Sequence, residues 1–141
     1  MRLAIEEAKK SEGNLKIGAL LVKKGKVISK GFKENVGTIG IHAEEKVIKS
    51  ISDKSKCVLY LTLEPCFYRN YSLETCCDLI INSGIKKVVI GLKDINPKIS
   101  GKGIEKLRSS GIKVIVFNKG LEADLLKLVG EDYIMKHGWF R

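Results

Sequence analysis

The chain has 141 residues, of which 44% are hydrophobic and 30% are charged, and its formal net charge is +10. This length and hydrophobic content allow one domain with a substantial core and exclude wholesale disorder. The sequence contains no apolar run long enough to cross a bilayer and no signal-peptide core. We therefore expect a cytoplasmic protein without a membrane partner.

The positive charge favours anionic partners such as a phosphorylated metabolite, a nucleotide or RNA. Lysine and arginine number 26 against 16 acidic residues, but they are scattered along the chain and form no dense basic tract. A solvated lysine-rich surface also explains this pattern, so nucleic acid is a partner that the sequence does not favour. The four cysteines, in a chain without an export signal, indicate thiols or metal ligands and not disulfides.

Hydrophobic periodicity and turn residues predict ten elements. In chain order they are a helix over residues 1–10, strands over 17–22 and 27–32, a helix over 42–51, a strand over 57–63, a helix over 74–83, a strand over 87–92, a helix over 102–110, a strand over 112–117 and a helix over 121–135. The sequence Lys24-Gly25 predicts a hairpin turn, and residues 37–40 predict a loop.

The order of these elements predicts the fold class. From the second helix onward helices alternate with strands, which indicates parallel strands joined by right-handed crossovers with helices on both faces. The opening hairpin adds antiparallel strands, so we expect a three-layer α/β/α fold with a mixed sheet of about five strands. No linker or repeat interrupts the chain, and residues 1–141 are expected to form a single domain.

Two segments of this fold should flank one cleft. Residues 64–66 follow the strand over 57–63, and residues 94–97 follow the next strand along the chain. Ligands of open α/β sheets bind beyond the carboxyl ends of the parallel strands, where both segments would lie.

The chain offers one imidazole and two thiols that suit a zinc ion. His42 lies in the first turn of the second predicted helix, Cys66 follows Pro65 at a strand end, and Cys76 lies near the start of the third helix. Three protein ligands leave the fourth zinc position open for water, which is typical of catalytic sites. Cys77 is adjacent to Cys76, and the residues alone do not decide which of the two is the ligand.

Glu44 is the candidate for proton transfer. It stands two residues from His42, close enough to reach water at the metal without binding the metal itself. A carboxylate in that position can move a proton from water to a ring nitrogen and then help ammonia to leave. Taken singly, each of these residues is better explained as a surface residue or a packed thiol, but their order and strand-end context favour a site.

The order H-x-E, then P-C-x-x-C is the signature of zinc nucleobase deaminases, and this chain has the same order with nine residues, not two, between Cys66 and Cys76. Several further segments are similar to one family. They are residues 1–6, Asn14, Gly18, residues 42–44 (HAE), residues 62–66 (TLEPC) and residues 94–104 (DINPKISGKGI). On these segments the chain resembles the cytidine deaminase-like superfamily, and most closely the deaminase domain of the riboflavin-biosynthesis pyrimidine deaminases.

That resemblance implies roles for individual residues. The family's second ligand cysteine stands eight residues before a glycine, as Cys76 stands before Gly84, which selects Cys76 over Cys77. It also implies that Asn14, Asp94 and Asn96 contact the substrate.

The chain departs from the family in the loop between the two cysteines. This loop reads FYRNYSLET and is one residue longer than the family's. Arg69 is the candidate to replace the family's basic residue there and contact the substrate. The family often continues into a reductase domain, which we do not expect here.

We therefore expect a zinc-dependent deaminase of a phosphorylated diaminopyrimidine carrying a ribosylamino or ribitylamino group, acting as a homodimer or higher homo-oligomer. One alternative is a deaminase of another base, nucleoside or nucleotide, because the altered loop can reshape the pocket. Another is an RNA-binding or RNA-editing protein that stacks bases on Phe67, Tyr68 and Tyr71.

Overall fold

The computed structural model describes residues 1–36, 39–68 and 74–137, without the side chains of residues 36 and 39. Arg69 and Tyr71 lie outside the described residues. The described part of the chain contains the helices α1 (Arg2–Ala8), α2 (Ala43–Ser50), α3 (Cys76–Ser83), α4 (Lys102–Ser109), α5 (Glu122–Val129) and α6 (Glu131–His137). It contains the strands β1 (Gly18–Lys23), β2 (Lys26–Phe32), β3 (Glu34–Val36), β4 (Ile39–Ile41), β5 (Cys57–Leu63), β6 (Lys87–Leu92) and β7 (Lys113–Val116).

Five of these strands form one mixed sheet, in the order β2-β1-β5-β6-β7. The β1–β2 hairpin is antiparallel, β1 also pairs antiparallel with β5, and β5, β6 and β7 are parallel. Parallel neighbours need a crossover, and the intervening helices α3 and α4 supply it. The predicted mixed sheet is confirmed.

A row of buried side chains crosses the sheet and carries the larger core. Leu21 lies opposite Leu59, Leu59 opposite Val88 and Val88 opposite Val114. Side chains alternate between the faces of a strand, so these four residues share one face. They belong to the cluster that also contains buried residues of α2, α3 and α4.

A second cluster covers the opposite face. It joins α1 to α5 through Ile5, Ala8, Leu121, Leu125 and Leu128. Helices therefore pack on both faces of the sheet, and the predicted three-layer α/β/α architecture is confirmed. No helix in the described ranges has the length and apolar character that a membrane span requires.

The structure differs from the predicted elements in two places. The predicted loop over residues 37–40 includes part of a short antiparallel hairpin, in which Glu34 pairs with Ile41. The predicted helix over residues 121–135 is two helices, α5 and α6, because Gly130 between them has φ 84° and ψ 146°. These dihedral angles are not helical, so the hydrogen-bond ladder of α5 cannot continue through Gly130.

Candidate metal centre

Ends of secondary-structure elements position the three candidate ligands. His42 is the residue before α2 and has an extended backbone, with φ −76° and ψ 149°. Cys66 follows β5, and Cys76 is the first residue of α3. Thr75 caps α3 with a reciprocal pair of hydrogen bonds to Asp78, which determines where the helix begins and therefore where Cys76 lies.

The three ligand atoms converge on one point. Nδ1 of His42 lies 3.1 Å from Sγ of Cys76 and 3.9 Å from Sγ of Cys66, and the three atoms all lie within 4.8 Å of one another. A nitrogen and a sulfur that share a tetrahedral zinc ion lie roughly 3.5 Å apart. The observed separations bracket that value, and one imidazole with two thiolates is a donor set that zinc accepts. The residues fit a zinc ion.

The environment of Cys66 favours its thiolate form. Its pKa is lowered to about 4, first by the hydrogen bond with the side chain of Cys76 and further by the imidazole of His42. The backbone N–H of Cys76, at the amino-terminal end of α3, donates to Sγ of Cys66 over 3.3 Å. Helix amino termini stabilise negative charge in this way, and the thiolate is the form that binds metal.

Glu44 lies beside this cluster in the first turn of α2. Only 3% of the residue is exposed, and its Oε2 has no hydrogen-bond partner among the described residues. Burial raises the pKa of Glu44, while the nearby His42 acts in the opposite direction. Burying a carboxylate oxygen without a hydrogen-bond partner costs free energy. The position of Oε2 therefore indicates that a water molecule or a ligand atom forms a hydrogen bond with it.

Cys77 points away from the cluster. Its Sγ lies 3.6 Å from the carbonyl oxygens of Pro65 and Gly103, and burial raises the pKa of Cys77 to about 12. A thiol in that environment stays protonated and packs as a small apolar group. The geometry agrees with the selection of Cys76 as the ligand.

Glu64 holds the two strand-end segments together. Its Oε2 accepts hydrogen bonds from the backbone N–H groups of Asp94 and Gly101, and its Oε1 accepts from those of Gly103 and Ile104. Four backbone donors on one buried carboxylate secure residues 94–104 against the end of β5. Glu64 belongs to the motif over residues 62–66, but the sequence does not indicate that it binds these four backbone N–H groups.

A cavity of about 240 Å³ opens over the candidate ligands. Two candidate ligands, Glu44, Asp94, Tyr133 and several apolar side chains line it: Leu15, Ile17, His42, Glu44, Leu63, Glu64, Pro65, Cys66, Phe67, Tyr68, Asp94, Ile99 and Tyr133. Residues 64–66 and Asp94 thus border the same cavity, which confirms the predicted cleft between the two strand ends.

Of the three predicted substrate contacts that the structure describes, only Asp94 belongs to the cavity lining. Asp94 lines the cavity, whereas Asn14 is exposed and adjoins the lining residue Leu15. Asn96 accepts a hydrogen bond from the backbone N–H of Lys98 and lies beyond Asp94 in the same segment.

Tyr133 of α6 also lines the cavity, and its hydroxyl donates to both carboxylate oxygens of Asp94, over 3.0 and 3.2 Å. The sequence does not indicate a functional role for Tyr133, because nothing in the local pattern distinguishes it from a packed helix residue.

Comparison with known proteins identifies similar chains. The family described as the cytidine and deoxycytidylate deaminase zinc-binding region matches residues 1–92. The riboflavin biosynthesis protein RibD of Aquifex aeolicus is 45% identical over 121 residues, which cover 82% of this chain and 33% of that protein. The diaminohydroxyphosphoribosylamino-pyrimidine deaminase of Buchnera aphidicola is 41% identical over 104 residues, which cover 72% of this chain and 67% of that protein.

A solved structure gives the same result. The diaminohydroxyphosphoribosylaminopyrimidine deaminase/5-amino-6-(5-phosphoribosylamino)uracil reductase of Thermotoga maritima superposes with a TM-score of 0.82 and 41% identity. The match covers 97% of this chain and 40% of that one. The chain therefore spans about a third of the RibD protein of Aquifex aeolicus and two fifths of the Thermotoga maritima protein.

Proposed function

Because this chain belongs to the cytidine and deoxycytidylate deaminase zinc-binding family, we propose that it hydrolyses the exocyclic carbon–nitrogen bond of an aminopyrimidine and releases ammonia. The substrate we propose is a phosphorylated diaminopyrimidine with a ribosylamino or ribitylamino group. The name of the Buchnera aphidicola relative supports this substrate class, as does that of the Thermotoga maritima protein.

One observation carries the proposal. Three potential ligand atoms, from His42, Cys66 and Cys76, lie within 4.8 Å of one another, and His42 and Cys66 line the same cavity as the buried Glu44. A metal position next to a carboxylate that can carry a proton is the arrangement that hydrolytic deamination requires. A closed structural site would hold four protein ligands and leave no position for water.

In this mechanism His42, Cys66 and Cys76 would hold zinc, and Glu44 carries the protons. The metal would lower the pKa of water toward neutrality and so make a nucleophile available. Glu44 accepts a proton from the attacking water and delivers it to the ring nitrogen beside the amino-bearing carbon. Glu44 then passes a second proton from the added oxygen to the amino group, the carbon–nitrogen bond breaks, and a carbonyl remains.

The rest of the cavity would orient the ring. Leu63 and Phe67 supply apolar surface, and the carboxylate of Asp94 can accept a hydrogen bond from a ring or sugar donor. We propose Asn14, Asn96 and Arg69 as further substrate contacts around the rim, with the basic Arg69 directed at the phosphate. Arg69 belongs to the loop that departs most from the family, so we expect this loop to determine selectivity.

Ammonia release by the purified, zinc-loaded protein tests the proposal. The panel contains the phosphorylated diaminopyrimidine, its dephosphorylated form, cytidine, deoxycytidylate and transfer RNA. We expect turnover of the phosphorylated diaminopyrimidine with the highest kcat/KM. A preference for cytidine or deoxycytidylate would change the proposed substrate but leave the proposed deamination reaction intact. No turnover of any compound would overturn the proposed function.

The RNA-binding alternative receives little support. Phe67 is partly buried against the main core cluster and lines the cavity, so it does not form an open stacking surface with Tyr68, which is 68% exposed; Tyr71 lies outside the described residues. Homo-oligomer formation stays a prediction; β2 and β7 are the edges of the sheet, where a second copy could pair. Light scattering of the purified protein measures the oligomeric state.

A further inference from the structure

Side chains of helix α6 form hydrogen bonds with Asp94, which lines the cavity, and with Asn14, which precedes the lining residue Leu15. The Tyr133 hydroxyl donates to the Asp94 carboxylate over 3.0 Å, and the Asn14 amide nitrogen donates to Oδ2 of Asp132 over 2.5 Å. Asp132 and Tyr133 are adjacent in α6, yet they reach two segments that lie far apart in the sequence, one at Asn14 and one at Asp94. Both partners, Asn14 and Asp94, are among the proposed substrate contacts.

The backbone around Gly130 supports this arrangement. The N–H of Lys16 donates to the carbonyl oxygen of Leu128 over 2.7 Å, which fastens the segment after Asn14 to the end of α5. A Cβ atom on Gly130 would lie 2.3 Å from the carbonyl oxygen of Asn14, far inside van der Waals contact. Only glycine allows this approach, and its φ of +84° also turns the chain into α6.

The Asp94 carboxylate is oriented from several sides. Its Oδ1 accepts from the Asn96 N–H over 2.9 Å and from the Tyr133 hydroxyl, and the Asp94 N–H donates to Glu64. An ionised carboxylate has about four acceptor positions, so Oδ2, which receives only the longer Tyr133 contact, can still accept from a ligand. Burial raises the pKa of Tyr133 above its ordinary value, and the neighbouring Asp94 raises it further, so the phenol remains a donor at neutral pH.

We propose that α6 is a positioning helix for the substrate: Tyr133 orients the Asp94 carboxylate into the cavity, and Asp132 orients Asn14 at the rim. This inference rests on the proposed function. Neither Tyr133 nor Asp132 takes part in the proton transfers; both act through the side chains they hold. Their loss should therefore weaken substrate binding and leave the chemical step largely unchanged.

The first test is Tyr133→Phe, which removes only the hydroxyl. We expect KM to rise about tenfold and kcat to change less than about twofold, because one hydrogen bond to a charged group is lost. Tyr60→Phe is the matched control, since Tyr60 lies in β5 and lines a different cavity together with Met1 and Val22. The control should keep the wild-type KM.

The second test compares Asp132→Ala with Glu131→Ala. Both acids are exposed and stand in the first turn of α6, so their removal has the same effect on the helix dipole. Of these two acids, Asp132 accepts the hydrogen bond from the Asn14 amide. We expect KM to rise about threefold for Asp132→Ala and to stay unchanged for Glu131→Ala.

A double-mutant cycle separates positioning from general loosening of the helix. In an Asp94→Ala background, which leaves Tyr133 no side-chain acceptor at position 94, Tyr133→Phe should raise KM much less than it does in the wild type, because its effect passes through the Asp94 carboxylate. Equal effects in both backgrounds would contradict the inference. Thermal unfolding of each variant establishes that the folded fraction is the same in every assay.

The outcomes distinguish this inference from the proposed function. A wild-type protein that releases ammonia from no aminopyrimidine overturns both. An active wild type, with unchanged KM in Tyr133→Phe and Asp132→Ala, overturns the positioning helix alone. If Tyr133→Phe does not fold, the comparison of Asp132→Ala with Glu131→Ala decides the question, since both substituted positions are on the surface.

Discussion

The two walls of the cavity are built in different ways. The metal wall is formed by the candidate ligands His42, Cys66 and Cys76, each at the end of a helix or strand, so the residue types and the element ends can be recognised in the sequence. The opposite wall depends on Asp94 and Tyr133, which meet through a side-chain hydrogen bond that no feature of the local sequence indicates. Both walls need the tertiary fold to bring their residues together, but only the metal wall has a pattern in the sequence.

Glu64 connects the two walls. It follows β5 immediately before Pro65 and Cys66, and it binds four backbone N–H groups of the segment that begins with Asp94. A change in Glu64 should therefore affect both walls, whereas a change in either wall should stay local. The following predictions test that distinction, from the largest expected effect to the smallest.

The largest effect is expected for Cys66→Ala. Loss of one of three protein ligands should remove most of the zinc and abolish turnover, while the opposite wall keeps its hydrogen bonds. Zinc content by elemental analysis and ammonia release measure the two results, and Cys76→Ala should behave in the same way. Full zinc occupancy in both variants would exclude these thiols as ligands.

Glu44→Gln should keep zinc and lose most activity. Glutamine has nearly the same shape but cannot carry the proton, so kcat should fall by about 10³-fold, within the range for general acid–base groups. Metal analysis and kcat are measured on the same preparation. Undiminished turnover would remove Glu44 from the mechanism.

Glu64→Gln should destabilise the fold by about 3 kcal/mol. The neutral amide replaces one carboxylate oxygen with a donor that faces two backbone N–H groups, so two buried hydrogen bonds are lost. Glu12→Gln, at an exposed position, is the control and should leave the free energy of unfolding unchanged. Denaturant unfolding measures both, and equal stability of the two variants would contradict the connecting role of Glu64.

A smaller effect is expected for Cys77→Ala. The residue is fully buried, so the substitution leaves a small cavity that costs about 1 kcal/mol. Zinc content should stay at the wild-type level, because the Cys77 sulfur points toward the carbonyl oxygens of Pro65 and Gly103. Loss of zinc in this variant would overturn the choice of Cys76 as the ligand.

The smallest expected effect is a change of protein stability with pH that depends on Asp94. Burial raises the pKa of Asp94 above its ordinary value. The native state therefore holds this proton to higher pH than the unfolded state, and stability falls as pH rises from about 4, the pKa in the unfolded chain, through the raised pKa. Asp94→Asn should show a slightly higher melting temperature than the wild type at neutral pH and no advantage below about pH 4.

Much of the fold could be predicted because its signals are local. The strands Cys57–Leu63 and Lys87–Leu92 have the predicted bounds, since each is an apolar run closed by polar residues. Gly130 was not recognised as a break, because a single glycine within an apolar helical pattern does not by itself end a helix. Its effect follows from the close approach of Asn14, which lies far away in the sequence.

The sequence by itself determined the alternation of helices and strands and the location of the cleft at the strand ends, and with the family resemblance it predicted three metal ligands and Glu44. The alternation and the cleft depend on periodicity, on turn chemistry and on residue types at element ends, all of which act over a few residues. Only the tertiary structure decided that Glu64 binds four distant backbone donors, that α6 is a separate helix and that Tyr133 meets Asp94. Those contacts join segments that come together only when the sheet and its flanking helices have formed, so no local pattern can encode them.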